Sequence, residues 1–238
     1  DFRNWIYGHK NAHKVITELE SLSAEGPLVN PFNFFRSHVK LESINKENPI
    51  MDFRQAAPRA IVWLPYCMPA LFSYMFKMAS NRFKLILRKE VHYASGLDVN
   101  DIEQIVRNTD DSDVFFFDND ISKMDSQIDK DLIEVEWEVL SLMGISPDVL
   151  ESYKTLKRNW RISNKYISVT GKWLRHSGEP TTALGNGIIN LAITALSTTE
   201  TRRQDLKLCL FMGDDMVMLT KKKEDVLQVK KKGKHLAN

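Results

Sequence analysis

The amino-acid sequence predicts an α+β fold, a small antiparallel sheet with helices packed on it. Two apolar runs, Leu208–Met212 and Met216–Leu219, flank Gly213-Asp214-Asp215 and predict a hairpin with a two-residue turn. A third run, Val114–Asp118, is rich in aromatic residues and predicts a central strand. Longer segments with apolar residues at helical spacing supply the helices that would cover this sheet.

The other elements follow in chain order from apolar periodicity and from residues that start or stop helices. Residues 1–59 mix proline, asparagine and charge, so we expect irregular structure with short helices there. We predict helices over 69–90, Asp98–Arg107, Asp129–Met143, from Ser146 onward and over Thr181–Arg202, and a short hairpin of Tyr166–Val169 with Lys172–Leu174 around Gly171. Pro69 suits a first helical turn, and Gly144 suits a helix end.

The chain is large enough to bury a sizeable core, since 43% of its 238 residues are hydrophobic. A net charge of +2 excludes little, but the charges are unevenly placed. Asp98–Glu136 carries 13 acidic and 3 basic residues, whereas Ser152–Gly178 has no acidic residue. The basic residues of that second segment are Lys154, Lys157, Arg158, Arg161, Lys165, Lys172 and Arg175, interleaved with Trp160, Tyr166 and Trp173. Such a segment could follow a phosphate backbone and stack on bases, although a solvated amphipathic element explains it about equally well.

The two cysteines, Cys67 and Cys209, lie in apolar runs and predict buried thiols in a reducing compartment. The longest uncharged stretch, Ala60–Phe76, has 17 residues. Because a membrane-spanning helix needs about 20 apolar residues, we predict a core segment here and no transmembrane segment.

Aspartates at the ends of two predicted strands form the first candidate site. Gly213-Asp214-Asp215 alone is common in solvated loops, but rigidly held carboxylates at a hairpin tip suit divalent cations. Asp120 and Asp125 are five residues apart, which on a helix would place them about 140° apart. We therefore expect Asp120 at the strand end and Asp125 just beyond it. A solvated acidic turn is the alternative, but the three phenylalanines that lead into it favour a defined position.

A second candidate segment runs from Ser177 to Asn186. Ser177 and Gly178 give a backbone that can approach a ligand closely. Thr182 and Asn186 are four residues apart and share a helix face, where two hydrogen-bonding side chains could recognise a ribose hydroxyl. An ordinary helix cap explains Thr181 or Thr182, but it does not explain Asn186.

Together these segments resemble motifs A, B and C of viral RNA-dependent RNA polymerases. The ordered set is Asp-x4-Asp, then Ser-Gly-x3-Thr-x3-Asn, then Gly-Asp-Asp. The local sequences Asn119–Gln127 and His176–Thr182 are similar to the alphavirus-like superfamily of positive-strand RNA viruses, with hepatitis E-like and plant virga-like members nearest. Three motifs in the right order on suitable predicted elements make the resemblance specific.

The resemblance implies RNA-templated RNA synthesis from nucleoside triphosphates, ATP among them, with two Mg²⁺ or Mn²⁺ ions. Asp120 and Asp214 match metal ligands, and Asp215 matches a residue that binds the second metal less directly. Asp125 matches the aspartate that senses the ribose 2′-hydroxyl, with Thr182 and Asn186 as its partners. The remaining matches, Ser177 and Gly178, correspond to a mobile loop that adjusts the template and the nascent pair.

The resemblance also implies a right-hand polymerase fold in which the thumb is missing from this chain. Residues 1–113 would be mainly fingers, with a motif F-like segment at 40–61. Residues 114–238 would be mainly palm, with motifs A, B and C at 118–127, 177–190 and 211–217 and a fingers-type insertion at about 145–176. The triphosphate and RNA channel would be lined by Lys40, Arg54 and Arg59, with Lys46 as a competitor. Lys230–Lys234 falls where motif D begins, and a lysine there could protonate pyrophosphate.

We expect this chain to be a fragment of a larger replicase polyprotein, with methyltransferase, helicase and thumb modules elsewhere. Its partners would be template RNA, nascent RNA and nucleoside triphosphates, in membrane-associated replication complexes of the host cytoplasm. Two alternatives stay open, a reverse transcriptase and a non-catalytic RNA-binding remnant. Asp125 with Asn186 favours ribonucleotides over deoxyribonucleotides, and the intact aspartates argue against a remnant.

Overall fold

A computed structural model describes residues 2–8, 11–24, 34–39, 60–65, 67–109, 112–121, 123–163, 168–198, 205–224, 226–227 and 229. The helices are α1 (Phe2–Tyr7), α2 (Ala12–Ala24), α3 (Cys67–Ile86), α4 (Val99–Arg107), α5 (Met124–Gln127), α6 (Lys130–Leu142), α7 (Pro147–Arg158) and α8 (Thr182–Ser197). The strands are β1 (Phe34–Val39), β2 (Ala60–Trp63), β3 (Val91–Tyr93), β4 (Phe115–Asp120), β5 (Trp160–Ser163), β6 (Ser168–Gly171), β7 (Leu206–Met212) and β8 (Asp215–Thr220).

Two four-stranded sheets, rather than one, make up the β structure of the described residues. The first has the strand order β2-β1-β5-β6, and the second has the order β3-β7-β8-β4. Each contains one parallel pair, β1 with β5 and β3 with β7, so the prediction of a single antiparallel sheet was wrong. The α+β class is confirmed, and the second sheet contains all the strands that the sequence predicted correctly.

The predicted helices are present with small shifts at their ends. α4 begins with a capping box, in which the Asp98 side chain accepts from the Asp101 amide and the Asp101 side chain accepts from the Asp98 amide. α6 begins where Asp129 caps the Leu132 amide, and Gly144 follows its end with φ of +83°. α8 ends at Ser197, earlier than predicted.

The hairpin predicted around Gly171 was wrong. Gly171 is the last residue of β6, which pairs antiparallel with β5 instead of with Lys172–Leu174. A Cβ on Gly171 would lie 2.2 Å from Cζ2 of Trp160, so this position is glycine because an aromatic ring packs against the backbone. Sequence spacing could not distinguish this close packing from a turn.

The helices cover the second sheet with a continuous apolar core. α8 packs on β7 and on α6, and its buried residues Leu184, Ile188 and Ile189 meet Phe211 and Met216 from the hairpin strands in one cluster. β7 and β8 pair antiparallel, and β4 pairs antiparallel with β8. Among the described strands β4 pairs with β8 alone and lies at the edge of the sheet, so the prediction of a central strand for Val114–Asp118 was wrong in its position. The hairpin lies inside the sheet, and this arrangement places the end of β4 beside the hairpin turn.

The prediction of a buried thiol is confirmed for Cys209 and stays a prediction for Cys67. Cys209 is a buried free thiol, and burial raises the pKa of its thiol to about 12. The side chain of Cys67 lies outside the described part of the chain. Of the helices that the structure describes, none combines the length and the apolar character that a membrane span requires.

The division into fingers and palm at residues 113 and 114 stays a prediction, as does the fingers-type insertion. The segment 145–176 contains α7, β5 and β6, and the last two belong to the first sheet.

Candidate active site

A two-residue turn joins β7 to β8 at the end of the second sheet. Met212 pairs with Asp215, and Gly213 and Asp214 form the turn between them. Gly213 has φ of +64°, while Asp214 keeps the negative φ of ordinary residues, the pattern of a type II′ turn. A Cβ on Gly213 would meet nothing within 4 Å, so the backbone conformation, not crowding, favours glycine here.

The end of β4 lies directly across from this turn. Asp120, the last residue of β4, pairs with Asp215, the first residue of β8. Opposite residues of an antiparallel pair project from the same face, so both carboxylates stand on one face of the sheet edge. Asp118 lies two residues before Asp120 within the same strand, which excludes an irregular acidic turn for this pair.

Burial and neighbouring charges act on the Asp215 carboxyl beside the turn. Partial loss of water around the Asp215 carboxyl, followed by the charges of Asp214 and then Asp120, raises the pKa of Asp215 above its ordinary value. This occurs although the Asp215 residue as a whole is exposed. Like charges that crowd one another create a site in which a cation would be stabilised.

The side chains at this end of the sheet, Asp120, Asp214 and Asp215, offer carboxylate oxygens, which are the donors that a hard divalent cation prefers. Among the residues that the structure describes, no three acidic, histidine or cysteine side chains form a ready cage for a metal ion. Mg²⁺ commonly takes one or two carboxylates and completes its shell with water and substrate phosphates. Asp120, Asp214 and Asp215 are therefore suitable candidate ligands.

Asp125 lies on α5, just beyond the strand that ends at Asp120, as the sequence predicted. Between them Lys123 has φ of +54°, a left-handed conformation that turns the chain into α5. The Oδ1 atom of Asp125 accepts a hydrogen bond of 2.7 Å from Nδ2 of Asn186 on α8. The structure thus joins two residues that the sequence predicted to act together.

Thr182 makes a different contact from the predicted one. Its hydroxyl donates to the backbone carbonyl of His176 at 2.7 Å, so it closes the loop before α8. No hydrogen bond joins it to Asp125 among the described residues. Ser177 and Gly178 lie in that same loop, where the Gly178 amide donates to the carbonyl of Val62 on β2 at 2.8 Å.

The basic segment 152–178 divides into buried and exposed residues. Lys157 and Arg175 are buried, and they pair with Glu179 and Glu136 respectively. Trp160 is buried as well, which removes it as a stacking surface for bases. For these three residues both alternatives, a segment that follows a phosphate backbone and a solvated amphipathic element, are therefore wrong. Arg158, Arg161 and Lys172 remain exposed.

Asn190 was missed by the sequence analysis. It lies four residues after Asn186 on α8, is fully buried, and donates to the carbonyl oxygens of Asp214 at 2.8 Å and Gly213 at 3.3 Å. Its four-residue spacing from Asn186 was the available signal, since residues four apart share one helix face. No local pattern indicated that this face of α8 packs against the Gly213-Asp214 turn.

Several predicted channel residues cannot be placed. Lys40, Lys46, Arg54 and Arg59, and the cluster Lys230–Lys234, lie outside the described residues. Their assignment to the triphosphate and RNA channel, and to motif D, stays a prediction.

Comparison with known proteins gives consistent matches. A family model described as RNA dependent RNA polymerase matches residues 5–235. The non-structural polyprotein pORF1 of hepatitis E virus genotype 2 (isolate Human/Mexico) is 29% identical over 150 residues, which is 63% of this chain and 9% of that protein. The pORF1 proteins of genotype 1 (isolate Human/India/Hyderabad) and genotype 3 (isolate Swine/United States/swUS1) are 28% and 29% identical over 150 residues, again 63% of this chain and 9% and 8% of those proteins. The matched stretch is thus less than a tenth of the length of these curated relatives.

Proposed function

We propose, from the premise that the chain belongs to the RNA-dependent RNA polymerase family, that it carries the catalytic core of a viral replicase. This family consists of nucleotidyltransferases, and the resemblance drawn from the three motifs is confirmed by the match over residues 5–235. The proposed reaction adds nucleotides from nucleoside triphosphates to the 3′ end of an RNA, under the direction of an RNA template.

One observation assigns the proposed catalytic site to particular residues. Asp120 pairs with Asp215, beside the turn that contains Asp214. Two separate chain segments deliver carboxylates to one point, and each is held by strand hydrogen bonds. Rigid support matters because catalytic groups must stay within a fraction of an ångström of their working positions. A solvated acidic loop would not provide this.

The reaction forms a bond between the 3′-hydroxyl oxygen and the α-phosphorus, breaks the bond to pyrophosphate and releases the hydroxyl proton. Two divalent ions would, when bound, acidify the hydroxyl and neutralise the charge on pyrophosphate. Asp120 and Asp214 would hold such ions, and Asp215 would contribute less directly. We propose Mg²⁺ or Mn²⁺ because the donors are all carboxylate oxygens.

Selection of ribonucleotides would fall to Asp125 and Asn186. Their 2.7 Å hydrogen bond fixes the orientation of the Asp125 carboxylate, whose second oxygen can accept from a ribose 2′-hydroxyl. A deoxyribonucleotide would leave that acceptor unpaired, which is how a polar site rejects an analogue that lacks a hydroxyl. This pair therefore favours an RNA polymerase over a reverse transcriptase.

We further propose that the chain acts within a longer protein. The curated relatives are named non-structural polyproteins, and the matched stretch is 8% or 9% of their length. Template RNA, nascent RNA and nucleoside triphosphates would be the ligands. The rest of the polyprotein would supply the part that holds the RNA product. Residence in membrane-associated complexes of the host cytoplasm belongs to the same proposal.

Primer extension on an RNA template tests the function. The protein would be a replicase polyprotein segment that contains this chain and the residues that follow it, assayed with NTPs and with dNTPs. We expect extension with NTPs that requires Mg²⁺ or Mn²⁺, a strong preference over dNTPs, and weak or no extension by residues 1–238 alone. The Asp214→Asn variant should bind RNA without extending it, because it loses a carboxylate charge but keeps the side-chain size.

Other outcomes would contradict the proposal in different ways. Equal or better use of dNTPs would indicate a reverse transcriptase. RNA binding without extension under either metal would indicate a non-catalytic protein. Full extension by the Asp214→Asn variant would show that the hairpin turn is not the catalytic site.

A further inference from the structure

A buried carboxylate closes the turn that carries Ser177 and Gly178. The Glu179 side chain is fully buried, and its Oε1 accepts a hydrogen bond of 2.8 Å from the backbone amide of His176. Its Oε2 accepts from the hydroxyl of Tyr153 at 3.2 Å and from Nζ of Lys157, both on α7. Glu179 therefore ties both ends of the four-residue turn to each other and to a helix.

A second buried ion pair fixes the chain on either side of this turn. Arg175 pairs with Glu136 on α6, and its Nη1 lies 3.3 Å from Oγ1 of Thr181, the residue before α8. Both ion pairs have side chains exposed by 3% or less. The loop from Arg175 to Thr181 is thus anchored to α6 and α7 by charged groups away from water.

The opposite side of the turn rests on the first sheet. The Gly178 amide donates to the Val62 carbonyl at 2.8 Å, and the Val62 amide donates to Oγ of Ser177 at 3.4 Å. A Cβ on Gly178 would lie 2.6 Å from Cβ of Trp63, so only glycine fits against β2. The turn is held between a strand and a buried carboxylate.

Fold stability alone does not explain buried charges at this place. Removing two charges from water is costly, and replacing a buried ion pair by apolar residues is often neutral or stabilising. Here the ion pairs flank a loop that contains two predicted ligand-contacting residues, Ser177 and Gly178. The Glu179 carboxylate accepts hydrogen bonds on both of its oxygens, and such an ionic anchor stabilises one conformation of the loop more sharply than apolar packing would.

We propose that Glu179 and Lys157 are positioning residues that hold the Ser177-Gly178 turn in the conformation that accepts the incoming nucleotide. This rests on the proposed polymerase function. When a binding loop is correctly placed for only a fraction of the time, the apparent affinity falls by that fraction. Saturating nucleotide restores the correct conformation, so the loss concerns KM for the nucleotide and not kcat.

The kinetic test compares the Glu179→Gln variant and the Lys157→Met/Glu179→Gln variant with the unchanged replicase segment. The double variant removes both charges together and so leaves none buried without a partner. We expect KM for NTPs to rise by about tenfold, with kcat changed by less than about twofold. Glu151→Gln is the matched control, because it breaks an exposed ion pair of 2.7 Å with Arg158 on the same helix. A lower kcat at unchanged KM would overturn the proposal, since that is the result of having fewer folded molecules.

Amide hydrogen exchange provides a test that does not depend on activity. In the unchanged protein the amides of His176 and Gly178 should exchange slowly, because both donate within the structure. In the Glu179→Gln variant they should exchange at least about tenfold faster, while amides of α6 and β8 stay as protected as before. Unchanged exchange at these two amides would overturn the positioning role, even if primer extension failed for the unchanged protein as well. If extension fails while exchange changes as predicted, the proposed function is overturned, and with it the role in nucleotide binding, whereas the anchoring of the turn by Glu179 stands.

Discussion

Asn190 donates a hydrogen bond of 2.8 Å to the backbone carbonyl of Asp214. This contact joins the helix that carries Asn186 to the turn that carries the candidate metal ligands. A second, longer bond to the Gly213 carbonyl makes the Asn190 amide group a brace across the whole turn. One helix therefore contacts both Asp125, the residue proposed to select ribose, and the turn that carries Asp214.

Replacing Asn190 should lower both the catalytic efficiency and the stability of the protein. We expect Asn190→Ala to lower kcat/KM by about 10- to 100-fold, because small displacements of reacting groups have effects of this size. The free energy of unfolding should fall by about 1–3 kcal/mol, because buried carbonyls lose their donor. Ser197→Ala is the matched control, since Ser197 is also buried on α8 but bonds only to the Ile193 carbonyl within that helix. An Asn190→Ala variant with full activity would show that the two Asn190 hydrogen bonds do not position the turn for catalysis.

Sugar selection should depend on Asp125 and Asn186 as one unit. Asp125→Ala and Asn186→Ala should each lower the preference for NTPs over dNTPs by at least about tenfold, because each disrupts the acceptor for the 2′-hydroxyl. The double variant should be little worse than either single one, as expected for residues that share one hydrogen bond. Competition assays with NTP and dNTP measure both effects. Thr182→Val is the control and should change the preference little, because the Thr182 hydroxyl bonds to the His176 carbonyl. If the losses of preference in the Asp125→Ala and Asn186→Ala variants added up in the double variant, the two residues would not act as a unit.

The stability of the protein should depend on the protonation of His176. This ring is packed between Phe35 and Trp160, and burial, which outweighs the attraction of Glu179, lowers its pKa from 6.5 to about 4. Between these values the unfolded chain binds the proton and the folded chain does not. The folded state therefore bears no penalty above about pH 6.5, and it loses stability as the pH falls toward about 4, by about 3 kcal/mol in all.

Denaturant unfolding at several pH values measures this effect. The His176→Gln variant should lose the part of the pH dependence that lies between about pH 4 and 6.5. Its stability at neutral pH can differ from that of the unchanged protein, because the ring contacts are removed. The test therefore compares how the free energy of unfolding changes with pH. If the free energy of unfolding changed with pH equally for the two proteins, folding would not lower the pKa of His176.

RNA binding should use the exposed basic residues of the segment 152–178 and not the buried ones. For single-stranded RNA the logarithm of the affinity should fall with the logarithm of the salt concentration by about 0.7 per neutralised phosphate. We expect Arg161→Gln and Lys172→Gln each to lower that slope by about 0.7. Arg107→Gln should leave it unchanged, because Arg107 pairs with Glu103 in the acidic segment. A slope near zero for the unchanged protein would exclude a basic RNA-binding surface.

Local features of the sequence predicted the centre of the candidate site. A glycine between two apolar runs indicated a turn, and Gly213 and Asp214 form that turn. The three phenylalanines before Asp120 indicated a strand, and Asp120 is the last residue of that strand. Asp125 and Asn186 were matched by the family resemblance, and their hydrogen bond agrees with that match. Each of these features depends on neighbours within a few residues, or on a motif that keeps its spacing.

Features that depend on distant residues were missed. The first sheet pairs β1 with β2 and with β5, over separations that no local pattern encodes. The segment rich in basic residues suggested an RNA surface, but Lys157 and Arg175 meet glutamates 22 and 39 residues away. Charge counting cannot tell a solvated lysine from a buried one, because burial is a property of the packed chain.

The sequence by itself determined the motifs, the family and the elements that carry the candidate carboxylates, because turn chemistry, strand composition and helix periodicity act over short distances. Only the tertiary structure decided that Asp120 faces Asp215, that Asn190 braces the turn, and that Glu179 anchors the Ser177-Gly178 loop. These relationships arise when separate elements pack, since the cost of burying a polar group is met only by a partner that packing brings within hydrogen-bond distance.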